Sequence, residues 1–172
     1  MRFLCVFLVF AMAKAFGGEV VTSCYSTTSQ KFSLELLNGM KEEEERDYFV
    51  YLCPGYGGYE VLYEGGDGRS WINVKYGDKK SDLFAAVSNN AGGYFPAKSN
   101  DVIEWRGVKT EKGFTPYAII YRVTVSDDEG KKDSTKLMVF SLNKGDSKFL
   151  GVVSGKDEGK KARAIADRAK PR

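Results

Sequence analysis

Alternation of apolar and polar side chains dominates the chain. Between Ser70 and Tyr76, the residues Trp71, Asn73 and Lys75 alternate with Ile72, Val74 and Tyr76, which is the period of a strand with one buried face. The same period runs from Tyr117 to Ser126. There Tyr117, Ile119, Tyr121, Val123 and Val125 share one face, while Ala118, Ile120, Arg122 and Thr124 share the other. Aromatic and β-branched residues also crowd Tyr48 to Cys53, Tyr59 to Tyr63, Val102 to Arg106, Thr135 to Asn143 and Phe149 to Ser154, marking five further strands. Asp67-Gly68, lying between two such runs, is a hairpin-turn signal. Lys144-Gly145-Asp146 and the segment Asp127 to Asp133 have the length and composition of hairpin connectors.

Three segments depart from the alternation. Tyr25 to Gln30 is a polar Ser/Thr run, expected as loop or weak edge strand. Asp78 to Asn90 carries Leu83, Phe84 and Val87 at helical spacing, expected as a short helix or an irregular crossing. From Lys156 onward the β-branched residues give way to Ala, Lys and Arg, with Ala162, Ile165, Ala166 and Ala169 at helical spacing before Pro171. The pattern predicts an α+β fold: mainly an antiparallel meander sheet of about six to eight strands, with a helix over 156–170 packed on it.

The N-terminus changes the picture of where this domain resides. Arg2 precedes the apolar run Phe3 to Met12, which falls short of the about 20 residues a membrane span needs and reads as an export signal. Cleavage after Ala15 or Gly17, the latter favoured, leaves 18–172 as one domain that is periplasmic or secreted, with no transmembrane helix. A retained anchor is the rival reading. Lipidation is another, at Cys24 after Val21-Thr22-Ser23, although Glu19 separates that cysteine from the apolar run.

Loss of residues 1–17 removes Arg2, Lys14 and Cys5, leaving 24 basic against 23 acidic side chains. Such a balance supplies no general electrostatic reason to bind nucleic acid. Cys24 and Cys53, the remaining cysteines, enclose 28 residues. In an oxidising compartment they are expected to form a disulfide tethering the segment 18–47, worth about 3 to 4 kcal/mol on the chain-entropy model; free thiols are the alternative. The charge run Lys41 to Arg46 within that segment reads as a solvated face.

The chain has no histidine, which excludes Ser-His-Asp and Cys-His catalysis and histidine metal sites. Carboxylate or Ser-Lys chemistry remains, with Glu60, Glu64, Asp67 and Glu104 as candidates by residue type. No cofactor or metal is expected: Gly55, Gly57 and Gly58 lack the Lys-Ser/Thr ending of a phosphate loop, and Asp67 lacks closely spaced oxygen ligands. The stretch from Cys53 to Gly77 admits two readings. As a scaffold, its glycines serve tight turns. As a recognition loop, Tyr56 and Tyr59 present rings while Asp67 orients Arg69 toward a partner's carboxylate or phosphate.

The blocks Cys53-Pro54-Gly55-Tyr56-Gly57-Gly58-Tyr59, Gly66-Asp67-Gly68-Arg69-Ser70, Val74-Lys75-Tyr76-Gly77, Ile103-Glu104-Trp105-Arg106, Pro116-Tyr117-Ala118-Ile119-Ile120 and Ala162-Arg163-Ala164-Ile165-Ala166-Asp167 resemble a family of short exported proteins of unassigned function from Gram-negative bacteria. Such proteins often carry a further cysteine pair near the last strand and the C-terminus. Here Phe149 to Ser154 and the end at Arg172 have none, so the terminal helix is expected to be the element most easily detached. These readings converge on a non-catalytic protein that binds a protein or envelope component. A histidine-free carboxylate hydrolase of envelope polymer and a purely structural envelope role are the alternatives.

Overall fold

A computed structural model describes residues 19–29, 32–33, 48–66, 69–92, 94–127 and 132–171, without the side chains of residues 32, 33 and 94–100. The export signal, the Lys41 to Arg46 run and the Asp67-Gly68 turn lie outside the described residues. Among the described residues, ten strands build two five-stranded antiparallel sheets. The first sheet has the order β1 (Val20–Thr27), β7 (Tyr94–Thr110), β8 (Gly113–Ser126), β9 (Asp133–Ser141), β10 (Phe149–Val153). The second has the order β2 (Phe32–Ser33), β3 (Tyr48–Cys53), β4 (Tyr59–Gly66), β5 (Arg69–Tyr76), β6 (Lys79–Ser81). Helix α1 (Phe84–Ala91) carries the chain back to the first sheet, and α2 (Glu158–Ala166) follows β10. The expected α+β class holds: the chain is mainly antiparallel β-sheet, with a C-terminal helix packed on it.

Alternation along the strands builds one core between the sheets and a second beneath α2. Ile103, Trp105, Ile119, Tyr121 and Val123 of the first sheet meet Val61, Ile72 and Val74 of the second, with Leu83, Val87 and Ala91 closing one side. On the opposite face of the first sheet, Ala118, Ile120 and Val139 take Ala162 and Ala166 of α2, which lie one helical turn apart. The first sheet is thus apolar on both faces over its middle and on one face beyond it.

Tyr117 departs from its expected face. Arg106 pairs with Ala118 and Gly107 with Pro116, so Tyr117 is the extra residue of a β-bulge. The bulge turns Tyr117 out of the inter-sheet core and into the cluster beneath α2. The polar run at Tyr25, expected as loop or weak edge, is the end of an eight-residue edge strand beginning at Val20.

The structure shows no disulfide between Cys24 and Cys53. Cys24 sits opposite Trp105 in the first sheet, and Cys53 opposite Val61 in the second. The ladders hold each cysteine on its own sheet. Cys53 is buried with its thiol directed at the Thr28 carbonyl at 3.8 Å, and Cys24 is half-buried. Brief alkylation of the folded protein should therefore modify Cys24 before Cys53, read by peptide mass spectrometry. A peptide linking the two would contradict this arrangement.

Tyr121 is 1 % exposed and stacks on Phe140 at 5.9 Å, yet its hydroxyl has no hydrogen-bond partner among the described residues. An unsatisfied buried hydroxyl costs about 1–3 kcal/mol. Tyr121→Phe should accordingly raise the unfolding free energy in urea by about 1 kcal/mol; a loss of stability would mean that the hydroxyl is satisfied.

Candidate functional site

The site is the part of the first sheet's outer face that α2 leaves bare. Nine helical residues at about 1.5 Å each span roughly 14 Å, whereas the fourteen residues of β8 at about 3.3 Å each span roughly 46 Å. The helix therefore covers the middle of the face and leaves a groove of about 540 Å³, whose lining includes Tyr25, Asp101, Val102, Glu104, Ile120, Arg122 and Leu137. Val102, Ile120 and Leu137 give it an apolar floor. A second depression of about 500 Å³ adjoins it, sharing Tyr25 and Val102 and bounded by Pro54, Gly55 and Tyr56. Tyr25 is 52 % exposed and Val102 56 %, at the junction of the two.

Ion pairs between helix and sheet form one border. Arg163 grips Glu104 with two hydrogen bonds, Nε to Oε1 at 2.6 Å and Nη2 to Oε2 at 3.1 Å, and also reaches the Tyr25 hydroxyl at 3.3 Å. Arg122 donates to Glu158 at 2.5 Å and to Thr135 Oγ1 at 3.0 Å. Ser23 joins this network to the next, donating to Glu104 Oε1 at 2.6 Å and accepting from Arg106 Nη1 at 3.0 Å. Arg106 in turn binds both oxygens of Asp167, at 2.9 and 2.8 Å, and the Tyr117 hydroxyl donates to Asp167 at 2.6 Å. Two blocks far apart in sequence, Glu104-Trp105-Arg106 and Arg163 to Asp167, meet here.

Titration follows from these contacts. Burial acts to raise the Asp167 pKa, but hydrogen bonds from Arg106 and Tyr117, with Arg106 and Arg163 as nearby cations, outweigh it and hold the carboxyl below its ordinary value. The hydrogen bond to Asp167, against the opposing effect of burial, raises Arg106; the bond to Glu104 does the same for Arg163. Burial first, and then the bond to Asp167, push Tyr117 from its ordinary value of 10.0 up to about 12.

The residues expected to form a recognition loop are not brought together. Tyr56 and Tyr59 lie before or at the start of β4, while Arg69 pairs with Gly66 at its far end, roughly 23 Å away along the strand. Asp67 lies outside the described residues. Arg69 is exposed and engaged with a neighbour. Tyr59 is 7 % exposed, packs on Tyr76 at 4.8 Å and accepts a hydrogen bond from the Lys144 backbone N–H at 3.0 Å. Tyr56 sets its ring edge-on to Trp105 and Phe114 at 6.0 and 5.6 Å. Its hydroxyl donates to the Tyr25 carbonyl at 2.9 Å. The loop thereby covers part of the open edge of β1, a common protection against unwanted strand pairing. Gly57 has φ +62°, and a Cβ there would run into Pro116. This glycine serves close packing.

The candidate carboxylates among the described residues, Glu60, Glu64 and Glu104, are structurally occupied. Glu60 pairs with Lys75 at 3.2 Å. Glu64, buried, accepts from Asn73 at 2.9 Å and Tyr48 at 3.0 Å and meets Lys80 at 2.6 Å. Both Glu104 oxygens are bound as described. Among the described residues, no three Cys, Asp or Glu side chains converge as metal ligands, and no helix is long and apolar enough to cross a membrane. Comparison with protein-family models, with curated proteins and with solved structures returned no match.

Asp167→Asn should weaken the docking of α2 by about 1–2 kcal/mol, the lower end being expected because the side chain is partly exposed. Because its folded pKa is depressed, the Asp167 contribution is present above the ordinary carboxylate value of 3.8 and lost as pH falls through the lowered one. Tyr117 has the opposite sign. Its contribution is intact below the ordinary value of 10.0 and is lost as pH rises through about 12. Hydrogen exchange of the Arg163 to Asp167 amides should report the acid arm, and urea titrations of Tyr117→Phe against the parent the alkaline arm. Unchanged pH profiles in both variants would show that the clamp does not hold the helix.

Proposed function

We propose that this is an exported, non-catalytic binding protein, and that the groove around Tyr25 and Val102 receives a protein partner. One observation carries the reading: two adjoining depressions meet at Tyr25 and Val102, large hydrophobic residues that are both more than half exposed. Exposed apolar side chains gathered in a groove mark an interaction site more often than a scattered surface does. Export rests on the short apolar run behind Arg2, and the periplasm or the exterior is the compartment it implies.

The hydrolase alternative calls for two available carboxylates in a concave site. Asp101 and Glu104 both line the groove, but the Glu104 oxygens are already bound by Arg163 and Ser23. That leaves Asp101 without a second carboxylate free to act on a proton.

A photo-crosslinking side chain placed at Val102 in living cells should yield a discrete protein adduct in the exported fraction, and the same side chain at exposed Lys112 should not. Tyr25→Ser in the chain carrying the crosslinker at position 102 should cut the yield at least tenfold while the melting temperature stays within a few degrees. Equal adduct yields from both positions, or turnover of envelope polymer abolished by Asp101→Asn, would displace the binding reading.

A further inference from the structure

The chemistry of the groove narrows the partner. The charges around it form closed pairs with one exception: Glu104 is gripped by Arg163, and Arg122 by Glu158. Asp101 is exposed on the lining and has no ion pair among the described residues. Its side chain accepts only a long hydrogen bond, from the Thr28 hydroxyl at 3.3 Å. A carboxylate beside an apolar floor and an exposed tyrosine ring is complementary to a cation on an apolar stem. Lysine and arginine side chains have that construction.

The backbone around Tyr25 points to an extended occupant. The Thr28 N–H binds the Asp101 carbonyl at 2.8 Å, which sets the alternation of the β1–β7 ladder. Residues 21, 23, 25 and 27 therefore turn their N–H and C=O groups away from β7. The Tyr25 carbonyl, directed that way, is taken by Tyr56. Val21 and Ser23 turn their backbone groups to the same edge of the sheet, where an extended segment crossing Tyr25 would meet them.

Resting on the binding reading above, we infer that the groove takes an extended segment of a partner protein, with apolar side chains over Tyr25, Val102, Ile120 and Leu137 and a lysine or arginine at Asp101. An exposed ion pair of this kind adds about fivefold to affinity at moderate salt and loses that margin as salt rises.

The test uses the full mature chain and three short synthetic peptides of alternating valine and serine, differing only in a central lysine, glutamine or glutamate. Amide shifts of Tyr25 and Val102 are followed by NMR. The expected result is saturable shifts at both positions, with the lysine peptide about fivefold tighter than the glutamine peptide and the glutamate peptide weakest. Asp101→Asn should erase the lysine-over-glutamine margin without altering the shifts elsewhere in the spectrum. Equal affinity for all three peptides at these residues would overturn the cation inference while leaving the groove as a binding face. Absence of shifts at Tyr25 and Val102 with every peptide, or concentration-dependent shifts without peptide that reveal a second copy of the chain there, would overturn both.

Discussion

The constraint on which the rest depends is the pleat of β7 at Glu104-Trp105-Arg106. A strand sends successive side chains to opposite faces, so this tripeptide acts on both sides of the first sheet at once. Trp105, fully buried, points into the inter-sheet core, where its indole N–H donates to Ser26 Oγ at 2.8 Å and its ring meets Tyr56 and Tyr59. Glu104 and Arg106 point the other way and hold Arg163 and Asp167 of the C-terminal segment. A one-residue slip of β7 would put two charges into the core and the tryptophan beneath the helix. Register, core and helix docking are thus a single choice.

This coupling explains how α2 stays on the sheet without a covalent bridge. The helix approaches closely through Ala162 and Ala166, whose methyl groups contribute only about 0.8 kcal/mol of apolar burial apiece. Its N-cap, Asp157, has φ +61° and makes no side-chain capping bond. Propensity and burial alone leave a nine-residue helix marginal. The clamp of two arginines and two acids, with Ser23, Tyr25 and Tyr117 satisfying the remaining hydrogen-bonding groups, supplies the rest and fixes the helix in one position. The expectation that this helix is the most easily detached element treated cysteine as the available means of attachment; the ionic network is another.

Much of the fold was legible because alternation is local. The strands from Tyr48 onward, the C-terminal helix and the antiparallel class follow from period and composition. What was not legible is what depends on pairing at a distance. Whether ten strands make one sheet or two is decided by β1 joining β7 across a long excursion through the second sheet, and nothing local in Val20 to Thr27 records that. The bulge at Tyr117 is equally silent, since the alternation runs through it unbroken in the sequence. The disulfide expectation rested on equally local evidence: spacing along the chain carries no information about which sheet each cysteine joins.

The candidate site shows the same division. Glu104, Arg106, Arg163 and Asp167 stood in blocks that could be singled out, yet their partnership needed the sheet to bring residues 59 to 61 positions apart into contact. The glycine- and tyrosine-rich stretch drew attention through composition, and its work is structural: Tyr56 and Tyr59 brace Trp105 from the second sheet, and Tyr56 takes the Tyr25 carbonyl on the open edge. Tyr25 itself, in an undistinguished Ser/Thr run, is exposed because β1 is an edge strand and because α2 is short. The groove is therefore a by-product of element lengths, a fourteen-residue strand beneath a nine-residue helix. Its polar border is the clamp that holds the helix. Any partner that settles over Tyr25 must lie against Arg163 and Glu104, so the residues that stabilise the fold and those that would recognise the partner belong to one network, and neither can change without the other.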